Sequence, residues 1–132
     1  MMDAKIKEAY VSFEVAKLLK EKGFTEECEY FYDWYKDSGS YHICSNGGTC
    51  NSEAYPDEYS MPTQQMAMAW CREVHKLYIG IERGPKGYHI EIETIPLGVV
   101  KYITREITGT TYVESYEEAV EVALKYILEN LT

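Results

Sequence analysis

The most regular feature of the chain is an apolar stripe near its end. Tyr116, Ala119, Val120, Ala123, Leu124, Ile127, Leu128 and Leu131 recur at three- and four-residue spacing, which lines them along one side of a helix. Ser115 precedes the stripe and Glu118 follows three residues later, the pairing of a capping box. An earlier helix is expected over 12–22. Ser12 can cap it, Glu14 sits near the positive end of its dipole, and Gly23 can supply a left-handed stop. Its apolar side is Val15, Ala16, Leu18 and Leu19, followed by Phe24; residues 1–9 could extend it but fit the period poorly. A further helix opens at Pro62, since proline fits a first helical turn. Met66, Ala69, Trp70, Val74 and Leu77 are expected to face the core from it.

Period-two alternation marks the strands. Ile79 and Ile81 point one way, Arg83-Gly84-Pro85-Lys86-Gly87 makes a turn, and Tyr88, Ile90 and Ile92 resume the alternation. After a break at Pro96 to Gly98, residues 99–107 return as a third strand. Cys28 to Tyr35 has high β propensity and no helical period. Lys36 to Met61 is rich in Ser, Gly, Asn and Asp and reads as a long loop at about 36–61. Alternatively, Asn46-Gly47-Gly48 closes a hairpin between 41–44 and 50–55. The expected fold is therefore α+β: one domain over 1–132, with a three- or four-stranded antiparallel sheet and about three helices packed on one face.

Composition fits this picture. Of 132 residues, 45% are hydrophobic and 27% charged, the proportions of a globular chain with its own core rather than a disordered one. No stretch approaches the ~20 apolar residues of a membrane-spanning helix, and the opening residues contain no apolar run of the signal-sequence kind. A cytoplasmic location without membrane association is expected, with the four cysteines reduced. The net charge of −9 disfavours a long phosphate-tracking interface. Residues 62–89 are the exception, with four basic and two acidic side chains.

The candidate chemistry is sparse. Cys71 and His75 are four apart on a helix, and with Cys44 and Cys50 they form the one candidate metal set. The five residues between Cys44 and Cys50 exceed the usual ligand gap, so no metal and no cofactor are expected. A disulfide between those two would require oxidising conditions. No nucleophile elbow accompanies His42, His75 or His89, and no phosphate-cradling glycine motif occurs. Glu117-Glu118 and Glu91/Glu93 read as a helix start and the wet side of a strand.

Several segments together resemble a known group. Tyr10-Val11-Ser12-Phe13-Glu14-Val15-Ala16-Lys17-Leu18-Leu19-Lys20-Glu21-Lys22-Gly23-Phe24 is followed by Pro62-Thr63-Gln64-Gln65, Trp70-Cys71-Arg72-Glu73-Val74-His75, a hairpin, and Ser115-Tyr116-Glu117-Glu118-Ala119. These resemble small uncharacterised α+β proteins of gut bacteria and their phages or mobile elements. The likeness spans most of the chain except 36–60, and departs at Cys71, where the group has leucine. It implies a fold and a mobile-element setting, and it carries no catalytic residue across.

Thirteen tyrosines are the compositional oddity. Tyr30, Tyr32, Trp34 and Tyr35, with Tyr41, Tyr55 and Tyr59, form a candidate exposed contact surface, because aromatic side chains combine large apolar area with a polar tip. The same residues also suit ordinary sheet packing; an alternating strand places Tyr30, Tyr32 and Trp34 on one face. The function expected is that of a small non-catalytic interaction protein whose partner is another protein. The alternative is a winged-helix-like nucleic-acid binder, with helix 62–75 as reader, hairpin 78–92 as wing, and Arg72, Lys76, Arg83 and Lys86 as contacts. A metal-assisted enzyme ranks behind both.

Overall fold

The computed structural model describes residues 7–49, 51, 57–96, 98, 100–102, 104 and 108–132. In chain order they form α1 (Phe13–Glu21), β1 (Cys28–Tyr35), β2 (Ser40–Thr49), β3 (Glu58–Ser60), α2 (Gln64–Val74), β4 (Leu77–Arg83), β5 (Tyr88–Thr94), β6 (Val100–Tyr102) and α3 (Tyr116–Asn130). The α+β class, its helices and its antiparallel pairing are as expected. The strands, however, divide into two three-stranded sheets, ordered β2-β1-β3 and β4-β5-β6, where the sequence suggested one.

The extra sheet comes from the segment expected to be a loop. Its turn is Lys36 to Gly39, four residues after β1; Gly39 adopts φ +65° and its N–H donates to the Tyr35 carbonyl at 2.9 Å. Glycine enters this left-handed region at little cost. Residues 40–49 then run back along β1, and 58–60 pair with its other edge. The register steps from Tyr30↔Ser45 to Cys28↔Thr49, so the Asn46-Gly47-Gly48 run is a bulge within β2 rather than a hairpin turn. Buried Asn51 fixes the returning chain: its Nδ2 donates to the Phe24 carbonyl at 2.8 Å and its Oδ1 accepts from Ser60 N–H at 2.9 Å.

The helices start where side chains satisfy their free N–H groups. Ser12 Oγ accepts from Val15 N–H, and Ser115 Oγ accepts from Glu118 N–H. Thr63 caps α2, its Oγ1 accepting from Met66 N–H, so the helix starts at Gln64 and not at Pro62 as expected. Pro62 lies before the cap, and its carbonyl accepts from Val11 N–H at 3.0 Å. Residues 7–11 therefore do not extend α1 but run beside 62–64, joined at the Tyr10↔Thr63 bridge.

α3 buries Ala119, Val120, Ala123, Leu124, Ile127 and Leu128, the middle of the expected stripe; Tyr116 is half-buried, and Leu131, at the C-cap, is exposed. It rests on β4 and β5 and packs against α1 and α2. Ile79, Ile90 and Ile92 meet it from the second sheet, and Val15, Ala16 and Leu19 belong to the same buried cluster. The first sheet joins through Cys28 and Met61, with Tyr30, Tyr32 and Tyr59 half-buried against it.

α2 is turned away from the expected setting. Gln64, Ala67, Trp70 and Cys71 are buried, whereas Met66 and Val74 are 38% and 55% exposed. Two stripes of helical period compete in this segment. The inner one has small residues at Ala67 and Cys71, which allow α3 to approach closely, and Gln64, whose Nε2 donates to the Glu117 carbonyl at 2.9 Å.

This arrangement fixes the expected cost of two truncations. Leu124→Ala should lower unfolding free energy by about 3 kcal/mol, as for a fully buried leucine, whereas Val74→Ala should change it by no more than about 0.5 kcal/mol. Denaturant titration of both variants checks this, and comparable losses would contradict the setting of α2.

Candidate binding groove

β1 is the central strand of the first sheet, and its pairings decide which side chains share a face. Tyr32 lies opposite both Ile43 and Tyr59, Trp34 opposite Tyr41, and Tyr30 opposite Ser45. Tyr30, Tyr32, Trp34, Tyr41, Ile43 and Tyr59 therefore lie on one face. Tyr35 lies on the other with His42 and Cys44, and Tyr55 falls outside the described residues.

Much of this aromatic face is already occupied. Phe13, the first residue of α1, inserts among Tyr32, Tyr41 and Tyr59, with ring centroids at 5.5, 4.1 and 5.4 Å. Tyr10 meets Tyr30 edge-on at 5.4 Å. The Tyr32 hydroxyl donates to the Val11 carbonyl at 2.9 Å, and the Lys20 ammonium sits 4.8 Å above the Tyr59 ring while donating to the Glu58 carbonyl. The tyrosines expected to present an open surface thus seat α1 on the sheet. Trp34 alone of that face's predicted aromatics remains 40% exposed.

What stays open is the part of the face that α1 does not reach. Tyr32 and Ile43 floor a groove of about 540 Å³, with Met61 and Gln64 also lining it; residues 9–12 form one side, and Glu117, Glu118 and Glu121 of α3 the other. Ile43 is 61% exposed. Glu121 is fixed in this wall: its carboxylate accepts from Ser12 N–H at 2.8 Å and from Ser12 Oγ at 2.9 Å. Burial, and then the Glu121 carboxylate, raise the Tyr32 phenol pKa above its ordinary value. Among the described residues, Glu117 and Glu118 have no ion-pair partner within 4.0 Å. Tyr10, Ile43 and Glu121 were not singled out as site residues from the sequence, and Glu117 and Glu118 were read there only as a helix start. Ile43 alternates with Tyr41 and Ser45, a signal hidden while the segment reads as loop.

The other expected sites are dispersed. Arg72 pairs with Glu73 at 3.4 Å, and Arg83 lies over the Tyr88 ring at 5.2 Å. Arg72 and Lys76 precede β4, whereas Arg83 and Lys86 stand at its far end, about 20 Å along a strand of this length. Of the metal set, Cys71 is fully buried in the core and His75 packs edge-on against Trp70 at 4.7 Å. Cys44 lies on the outer face of the first sheet, where its sulfur meets the Tyr35 hydroxyl at 3.2 Å; Cys50 is outside the described residues. No described group of three or more His, Cys, Asp or Glu side chains could hold a metal. Cys44 and His42 share a face, yet His42 Nε2 is engaged with Ser38 Oγ at 2.7 Å and the thiol with the phenol, so the pair is not set up as nucleophile and base. Among the described residues no helix is long and apolar enough to cross a membrane.

Architecture and site together define a small α+β protein with an open, partly apolar, acid-walled groove. No family model, curated protein or solved structure matches the chain.

Burial raises the Cys71 thiol pKa to about 12 from its ordinary value of 9.0. The unfolded chain releases this proton first, so the stabilising effect is complete below pH 9 and is lost as pH climbs towards 12. At pH 8 a thiol reagent should label Cys44 in the folded protein and spare Cys28 and Cys71, with peptide mass spectrometry locating the label. The alkaline fall in stability should be shallower in Cys71→Ala; an unchanged slope would contradict the assignment.

Proposed function

We propose that this chain is a small non-catalytic interaction protein, of the accessory kind carried by phages or other mobile elements, which holds another protein in the groove over Tyr32 and Ile43. One observation carries the reading: a large aliphatic side chain, Ile43, stays 61% exposed on the same face whose neighbouring rings are covered by α1. Apolar exposure of this kind, beside polar walls, marks contact surfaces. The openness of the groove suits a polypeptide better than a small molecule, which is normally enclosed on most sides. A cytoplasmic site of action belongs to the same reading, as Cys28, Cys44 and Cys71 are free thiols.

Nucleic-acid binding ranks behind it. The four basic residues of 72–86 fall into two separated pairs, and Arg72 already faces Glu73.

A photo-crosslinking residue placed at Ile43, and separately at the similarly exposed Val74, tests the proposal in cells of the host. The expected result is a discrete protein adduct from position 43 and none from 74. Excess wild-type protein should compete the adduct away, with Ile43→Asp about tenfold less effective. Equal adducts from both positions, or none from 43, would overturn it.

A further inference from the structure

Resting on that reading, we propose that the groove's occupant is an extended segment of alternating apolar and basic residues, added as a fourth strand to the outer edge of β2. β2 lies at the end of its sheet, and among the described residues it pairs with β1 alone. An edge strand presents unpaired N–H and C=O groups, and proteins ordinarily blunt such edges with lysine, proline or inward-pointing charge. The ten residues of β2, Ser-Tyr-His-Ile-Cys-Ser-Asn-Gly-Gly-Thr, contain no Lys, Arg, Asp, Glu or Pro. The edge is long, uncharged, and continuous with the groove through Ile43.

Side chains of an added strand alternate between faces, so every second one would enter the groove. There the side chain nearest Ile43 meets apolar surface beside the wall of Glu117, Glu118 and Glu121, and the next on that face lies about 7 Å along the same groove. A lysine or arginine answers both features, because its methylene stem covers apolar surface while its charged head reaches a carboxylate. Glu117 and Glu118 are exposed and have no described ion pair. Lys7 lines an adjoining recess together with Glu8 and Glu117, so its one positive charge meets two carboxylates there and Glu118 and Glu121 keep the groove wall acidic. Charge also argues against a second copy as the occupant, since each chain carries −9 and an added β2 would bring no cation to the wall.

Three terminally blocked heptapeptides test this on the intact chain by amide NMR and hydrogen exchange. One alternates lysine and valine, one alternates glutamate and valine, and the third is the lysine peptide methylated on alternate backbone nitrogens. The lysine peptide should shift amides of 40–45 and 117–121 and slow exchange at alternate β2 positions. The glutamate peptide should bind at least tenfold more weakly, and so should the methylated peptide, which keeps the charge but loses backbone donors. Glu117→Gln with Glu118→Gln should weaken the lysine peptide several-fold and flatten its salt dependence. Equal binding by the methylated or the acidic peptide, shifts confined to another surface, or pairing of two copies through β2 would each overturn the inference. If crosslinking at Ile43 succeeds while these arms fail, the groove still receives a protein and only the strand-addition mode is lost.

Discussion

The burial of one side of α3 is the constraint on which the rest of the molecule depends. Its six buried side chains are all completely covered, and removing a large aliphatic side chain from water contributes about 2 kcal/mol. α3 lies on the second sheet and packs against both other helices, so its position dictates theirs. Three polar contacts then set the alignment. Glu121 clasps the Ser12 cap, Gln64 donates to the Glu117 carbonyl, and Lys125 pairs with Glu14 at 2.8 Å. The Ser12 clasp has the largest consequence, because it holds residues 10–13 where Phe13 can enter the aromatic face. The groove is what remains between that face, residues 9–12 and the first turns of α3.

Aromatic enrichment in this chain therefore does mainly structural work. Phe13 is a docking contact within the protein, edge-on to Tyr32 and Tyr59 and tilted over Tyr41, and edge-to-face pairs add about 0.5–1.5 kcal/mol beyond area burial. A first sheet of only three strands gains a cover from α1, while the second sheet is covered by α3. Any surface for a partner lies at the margin of the aromatic cluster rather than at its centre, and that margin is Ile43 and Trp34.

The legible and illegible parts of the fold differ in whether the deciding information is local. The stripe and cap of α3 lie within seventeen residues and could be read directly, as could the 77–94 hairpin. The face shared by Tyr30, Tyr32 and Trp34 followed from alternation alone. The inner side of α2 was legible only in part: Trp70 and Leu77 are buried as expected, but Ala67 and Cys71, not Met66 and Val74, complete the buried side, where Gln64 donates to a helix more than fifty residues away. β2 was hidden for a different reason. Its one apolar alternation, Tyr41 and Ile43, is too short to stand out, and its Ser, His, Asn and Gly content imitates a loop. Without β2 there was no neighbour to set beside Tyr32, so the groove could not be inferred.

The acidity of the chain and the openness of β2 bear on one another. An uncharged edge strand with an exposed isoleucine is a template for pairing with its own kind, and solubility would ordinarily select against it. A net charge of −9 opposes that outcome, because two copies approaching edge to edge repel at distances comparable with the Debye length, about 8 Å at physiological ionic strength. Glu117 and Glu118 strengthen the repulsion where the edge borders the groove. The same two glutamates are favourable at the first turn of α3, where the helix dipole is positive, so they need no functional reason to be present. Their location gives them a second effect, since the field that discourages a like chain attracts a cationic one. Charge can thereby discriminate between partners while backbone pairing and Ile43 supply contact, which divides specificity from attachment along a single strand edge.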